Sequence, residues 1–368
     1  MPTPVGQAIY VMPKIYIYPE GQEALKDRFV LLNVSLSGSF FGNGSASASV
    51  LDLGAGFSKS SNICVAGYTP HEDTFGGLWV IEIEGQHSYE FLITNCVSTR
   101  LRSGGKKLEL SFDDIKNTWS VLKTNTIYKE FVTYMDLVNS LIAEANTLEG
   151  AVVCDDETIL DTALSAFCDE GIYEINNSTF LAEIMKLLEQ GGYNLYSDPE
   201  LVRIKIIDPI LSVLNNDFED ENTINATNSE EGLTVVNANY TLNYMGIPTS
   251  VVVTDANSPK TYAYGWYAGA NERVNHDIAK RDQLVYTTVY GLSDAQMKIT
   301  AENIYKLGVK SARVLNFTVA GIPFSPILWT KLHWTDQQGN TGIWVITDFS
   351  IEIAPCNLKT TLTAFKLD

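Results

Sequence analysis

Carboxylates are the most numerous groups able to do acid–base work in this chain, with 44 Asp+Glu against 25 Lys+Arg and four histidines. They cluster at Asp113-Asp114, Asp155-Asp-Glu157 and Asp217–Glu221. A glycosidase holds two carboxyl groups about 5–9 Å apart across the bond it breaks. Each cluster here reads more simply as a helix start or an exposed loop. Asp217-Phe-Glu-Asp-Glu-Asn222 lacks the glycine and the ligand spacing of a calcium loop. Cys64, Cys96, Cys154, Cys168 and Cys356 form no C-x-x-C pair, and their odd number does not suit a disulfide framework. Reduced thiols made in a cytoplasm are the expectation. His71, His87, His276 and His333 are scattered and build no local metal or triad signature. Gly54-Ala-Gly56-Phe-Ser lacks the further glycine and the helix that a phosphate cradle needs. These residues predict no enzymatic activity, no metal and no cofactor.

What remains is recognition. Four cations surround a Gly-Gly turn in Ser98-Thr-Arg100-Leu-Arg102-Ser-Gly-Gly-Lys106-Lys107. Arg100, Arg102, Lys106 and Lys107 either dock an acidic neighbour or form a solvated hairpin tip. The net charge of −19 argues against a protein whose main task is gripping phosphate backbones. Aromatic residues make up 11% of the chain, with 18 Tyr. Such side chains anchor interfaces at small rotamer cost, and they equally suit any β protein. No run of 18 apolar residues occurs, so no stable membrane insertion is expected.

A chain of 368 residues has room for two or three domains. Up to about residue 118 it alternates in short stretches: 14–18, 29–36, 46–53, 78–84, 89–97 and 108–112. Glycine turns separate them, which predicts a small antiparallel barrel or sandwich. Between about 119 and 231 the period changes. Phe131, Tyr134, Met135, Val138, Leu141, Ile142 and Ala145 share one helical face. A short helix is expected at 158–168, and another at 179–190 with Ser178 as its cap. A hairpin about Ser197-Asp-Pro-Glu200 follows, then a polar, acidic linker over 215–231. From 232 to 368 strands return, interrupted by a helix from the capping box Ser293-Asp-Ala-Gln296 to about Lys306, before Gly308. A Tyr/Gly/Asn-rich loop is expected at 262–282.

Two stretches echo one another. Leu78-Trp79 is followed by Phe91-Leu-Ile-Thr-Asn95, and Leu328-Trp329 by Trp344-Val-Ile-Thr-Asp348. The echo is either chance or the trace of a duplicated β unit. Trp79, Trp329 and Trp344 join the four cations as candidate interaction residues.

With Ala301-Glu-Asn-Ile-Tyr-Lys306, Val314–Gly321, Pro323-Phe-Ser-Pro326, Gly342–Thr347 and Lys359–Phe365 in this order, the chain resembles the baseplate hub proteins of contractile-tailed phages and related injection machines. Ile327 stands where that family usually has glycine after the second proline. The resemblance implies an α+β, mainly β fold of two similar antiparallel tube-type β-barrels, at 1–118 and 232–368, around an α/β module at 119–231. It implies a homotrimer whose six barrels form a pseudo-sixfold ring between tail tube and central spike. Its partners would be itself, the tail tube protein, the spike, and wedge or sheath-initiating baseplate proteins. DNA would be met only in passage. Its place would be the virion tail baseplate, assembled in host cytoplasm. A carbohydrate-binding or adhesin-like tail component is the alternative.

Overall fold

Alternation of inward and outward residues builds six strands in the first part of the chain. These are β1 (Ile15–Pro19), β2 (Phe29–Ser39), β3 (Ser45–Asp52), β4 (Leu78–Ile83), β5 (His87–Arg100) and β6 (Lys106–Asp113). In β3, Ala46, Ala48 and Val50 are buried while Ser45 and Ser47 face out, the period of two that a half-buried strand requires. All ladders are antiparallel, and the strands lie in the order β1-β4-β5-β6-β3-β2. The computed structural model describes residues 14–52, 77–83, 87–101, 106–123, 125–129, 133–154, 172–191, 193–207, 221–225, 234–242, 247–255, 259–265, 284–289, 294–323, 327–336, 338–354 and 357–367.

The middle of the chain folds around its own apolar cluster. Its elements are β7 (Leu122–Lys123), β8 (Thr126–Lys129), α1 (Tyr134–Ala145), β9 (Ile172–Ile175), β10 (Ser178–Thr179), α2 (Phe180–Gly191), β11 (Asn194–Asp198) and β12 (Arg203–Ile207). A capping box starts α1: Asp136 N donates to Thr133 Oγ1 at 3.1 Å, and Thr133 N donates to Asp136 Oδ2 at 2.9 Å. Leu137, Val138, Leu141 and Ala145 then meet Ile184, Leu187 and Leu188 of α2 in one core. The expected cap of α2 shifts by one residue. Ser178 belongs to β10, and Thr179 Oγ1 takes the N–H of Ala182 at 3.2 Å. The expected helix at 158–168 lies outside the described residues.

The last part adds β13 (Glu221–Asn225), β14 (Thr234–Leu242), β15 (Ser250–Asp255), β16 (Thr261–Gly265), β17 (Leu284–Val289), α3 (Asp294–Ser311), β18 (Arg313–Ala320), β19 (Lys331–Thr335), β20 (Thr341–Ala354) and β21 (Asn357–Lys366). Three expectations change here. Part of the expected acidic linker is strand β13, paired in parallel with β19. The first residues of the expected 262–282 loop belong to β16, which pairs with β15. Helix α3 runs through Gly308 to Ser311, because Val309 packs on the small core of Val251, Val253, Met297, Ala301 and Tyr305. That packing outweighs the roughly 1 kcal/mol helix penalty of one glycine. The capping residue Ser293 lies outside the described residues.

Strands β13, β14 and β18 to β21 join the first six in a single twelve-stranded sheet, through a seam between β2 and β20. The strand order of the second half is β13-β19-β20-β21-β18-β14. Renumbered along the chain, this is the same order as β1-β4-β5-β6-β3-β2. The two six-strand units also share register faults. In β5 a bulge falls at Thr94, between Ile93 and Asn95, and in β20 at Thr347, between Ile346 and Asp348. Both bulge threonines turn their hydroxyl toward the next strand: Thr94 Oγ1 donates to Ser111 O at 3.1 Å, while Thr347 Oγ1 lies 3.4 Å from Thr363 O and donates to Asp348 Oδ2 at 2.8 Å. Likewise β2 bulges at Leu32 against β3, and β14 at Val236 against β18. Bulges re-aim a strand at a chosen place, so two shared positions mark one design used twice.

The Ile-Thr-Asn/Asp half of the sequence echo is therefore a structural equivalence. The Leu-Trp half is not in register. Trp79 pairs with Phe91, whereas the residue paired with Trp344 is Leu332, and Trp329 sits in the turn before β19. The units differ in their first strand, antiparallel for β1 and parallel for β13. They differ also between their second and third strands. There the second unit carries the insert of β15–β17 and α3, where the first has a short turn. One apolar cluster runs through both units, and no ladder among the described residues closes either unit into a barrel.

Candidate assembly site

Three features of the sheet bear on assembly: the seam, the open edges, and the surface that holds the middle module. At the seam, Val34 to Ser39 of β2 lie antiparallel to Ile353 to Asp348 of β20. Phe40 N extends the ladder to the bulge carbonyl of Thr347 at 2.7 Å, and Ser39 Oγ donates to Asp348 Oδ1 at 2.6 Å. Gly38 is required there, since a Cβ on it would lie 2.4 Å from the Phe349 ring. Phe349 in turn reaches Tyr89, with ring centroids 6.1 Å apart.

The candidate tryptophans are all buried in this common core. Trp79 packs on Phe29 and Phe112. Trp329 stacks on Phe40 at 3.5 Å with its backbone in the left-handed region at φ 55°, a strained state that the stack and the Trp329 N to Ile346 O bond hold in place. Trp344 lies beside Tyr240. Their large apolar area stabilises the sheet of the single chain. Arg100 is exposed at the end of β5, opposite Lys106, and Lys107 pairs with Glu109 at 2.5 Å. The structure thus brings Arg100, Lys106 and Lys107 to one end of the β5–β6 hairpin. Arg102 and the Gly-Gly turn lie outside the described residues.

Among the described residues the sheet is open at β14, and β5 is flanked by β4 only as far as Leu92, with Gly77 O reaching the N–H of Ile93. Val236, Tyr240 and Leu242 on β14, and Val97 on β5, are exposed apolar side chains. Between β14 and the β19–β20 hairpin lies a cavity of about 400 Å³ lined by Tyr240, Leu242, Trp334, Gly342 and Trp344. Trp334 Nε1 donates to Tyr240 Oη at its rim. None of the candidate interaction residues lies on β14. Its signal was the run Thr234–Leu242, nine residues without a charge or a proline.

The third feature joins the middle module to the first unit. Asp114, read from sequence as a helix start, caps the 3₁₀ turn Ile115–Trp119 and does more. Its buried carboxylate accepts from Gly44 N at 2.7 Å, Lys116 N at 3.0 Å and Ser197 Oγ, with Lys116 Nζ at 3.7 Å. The tip of the β11–β12 hairpin presses on β5: Glu90 N donates to Pro199 O at 2.8 Å, and His87 Nδ1 lies 2.6 Å from Glu200 Oε1. Burial, then the nearby Glu20 charge, pushes the Glu90 carboxyl up to about 7. Burial likewise raises Asp198, although two backbone N–H groups at the hairpin turn oppose it, and raises the Tyr89 phenol.

The other carboxylate clusters, Asp155–Glu157 and 217–220, lie outside the described residues, as does Gly54–Gly56. No cluster of three or more His, Cys, Asp or Glu able to hold a metal occurs among the described residues. No helix among them is long and apolar enough to cross a membrane.

No protein family and no curated protein matches the chain by sequence. Solved structures do match by shape. A tail protein from Neisseria meningitidis MC58 superposes with a TM-score of 0.61 at 12% identity over 96% of both chains. The 43 kDa tail protein of prophage MuSo2 from Shewanella oneidensis gives 0.58 at 11% identity, over 96% of this chain and 98% of that one. An E. coli component of the type VI secretion system, described as structurally similar to the T4 phage tail proteins gp27 and gp5, gives 0.57 at 10% identity, over 95% and 76%. At such identities the likeness is one of fold: this chain folds, over nearly its whole length, as phage tail and type VI secretion proteins do.

Proposed function

We propose that the chain is a structural baseplate hub of a contractile tail, working by assembly rather than by chemistry. The observation that carries this reading is the duplicated six-strand unit, matched in order, register and bulge. Three chains with two like units each would present six quasi-equivalent surfaces. A threefold object could then seat on a sixfold tail tube at one face and a threefold spike at the other. Each unit would act as a barrel-like tube module lining a channel. The middle module at 119–231 would face outward, toward wedge or sheath-initiating proteins. The charge of −19 per chain would let DNA slide through without sticking. Arg100, Arg102, Lys106 and Lys107 would dock an acidic surface of a neighbour in the virion tail. A solved neighbour from Francisella is a complex containing the protein VgrG, in line with partners of spike type.

Electron cryomicroscopy of the purified chain, alone and in tail particles, tests the reading. The expected image is a threefold ring with six similar units around a pore. A solitary subunit at the distal tip that binds glycans would overturn it in favour of an adhesin.

A further inference from the structure

The seam inside the chain specifies a second joint between chains. It sets the second strand of one unit (β2) against the far half of the fifth strand of the other (β20). The counterpart pair is β14 and the far half of β5. Both are edges among the described residues: no described strand lies beyond β14, and none flanks β5 beyond Ile93 on its β4 side. Within one chain they lie at opposite ends of the strand order, so the joint requires a second copy.

We propose that β14 of one chain adds antiparallel to β5 of the next. Carrying the seam register through the matched ladders gives the pairs Ala238–Arg100, Asn239–Thr99, Tyr240–Ser98, Thr241–Val97 and Leu242–Cys96. This rests on the hub reading only for the number of chains. The pairing itself rests on the duplicated register.

Side chains agree with the register. Tyr240 is 53% exposed, while its counterpart at the seam, Leu36, is 1% exposed. Thr94 is exposed, while Thr347, its counterpart under β2, is buried. At the seam a glycine, Gly38, faces the large Phe349; the counterpart pair is the large Leu242 against the small Cys96. The sizes are exchanged across the joint, which keeps its summed volume workable. The cavity beside Tyr240 and Leu242 lies on this edge at Gly342, the counterpart of Tyr89, where Phe349 packs in the first unit. Edge strands of soluble proteins are ordinarily blunted by charge, proline or cover. β14 has neither charge nor proline, which fits an edge meant to be paired. Repeated head to tail, one such joint per chain closes a ring or runs on as a filament.

Disulfide trapping of the full chain tests this. Asn239→Cys and Thr99→Cys are placed together in one chain carrying Cys96→Ser, and oxidised at millimolar concentration. The control is Asn239→Cys with Val97→Cys, a diagonal pair too far apart to bridge readily. Expected are covalent species ending at the trimer, with the 239–99 peptide found by mass spectrometry about tenfold above the diagonal control. A trimer by light scattering that never links 239 to 99 overturns the pairing and leaves the hub reading intact. Linked chains growing past three keep the pairing and overturn the threefold hub. A chain that stays monomeric and unlinked overturns both.

Discussion

The first and second six-strand units are built alike and finished differently. Apart from the first strand, their ladders match residue for residue through two bulges, yet their fifth and second strands meet different fates. In β20 the far half is covered by β2, and inward side chains such as Ile351 and Phe349 are buried. Among the described residues the far half of β5 has no strand on that side, and Ser98, the counterpart of Ile351, is exposed. The second strands mirror this, β2 covered and β14 open. The comparison separates two layers of information. Backbone ladders and bulges set the fold and are held in common. A few side chains on one edge decide what that edge meets, and these have diverged.

Four measurements can break or sharpen this contrast, each by urea unfolding of the single chain. The largest effect is expected at the Asp114 anchor of the first unit. Asp114→Ala leaves Lys116 buried without its carboxylate and strands Gly44 N, and should cost about 4 kcal/mol. A loss below about 1 kcal/mol would mean the middle module does not depend on this clasp. Next comes the matched pair Leu36→Ala and Tyr240→Ala. The first should cost about 3 kcal/mol and the second under about 1 kcal/mol, because the first empties a core and the second trims an open edge. Equal losses would end the claim that β14 is unfinished in the monomer. Gly38→Val should cost about 2 kcal/mol by overpacking against Phe349, and Phe349→Leu should restore part of it.

The smallest effect is a pH slope. Glu90 is ordinarily a group of about 4.5, and it is raised to about 7 in the folded chain. Between these values the folded state holds the extra proton. Its contribution to stability is therefore present below about 4.5, falls as pH rises toward 7, and stays lost above. Glu90→Gln should flatten this slope and stabilise the chain at pH 8 by about 1 kcal/mol, since solvent at the half-buried group screens the full shift. Its counterpart in β20 is Ile343, so a slope that survives Glu90→Gln would have to come from elsewhere.

Local pattern made most of the sheet legible beforehand. The six early strands and the C-terminal four alternate visibly, and the Ile-Thr-Asn/Asp echo marks a true bulge. What escaped has physical causes. β13 is a strand because β19 offers it a backbone ladder, and its acidic composition shows no trace of that partner. The end of α3 is set by contacts of Val309 made far away in sequence. The candidate tryptophans read as anchors for a partner because burial inside the chain and burial between chains favour the same residues. The seam was invisible, since register between distant strands leaves no local signature. The assembly edge was visible only as an absence, the uncharged run Thr234–Leu242.

The β2–β20 seam lies within one chain, and that sets how it forms. Because one chain carries both units, this contact is a tethered encounter, at effective concentrations in the millimolar range. Its residues need not recruit a partner out of solution, and a tight, low-tolerance match such as Gly38 with Phe349 can serve there.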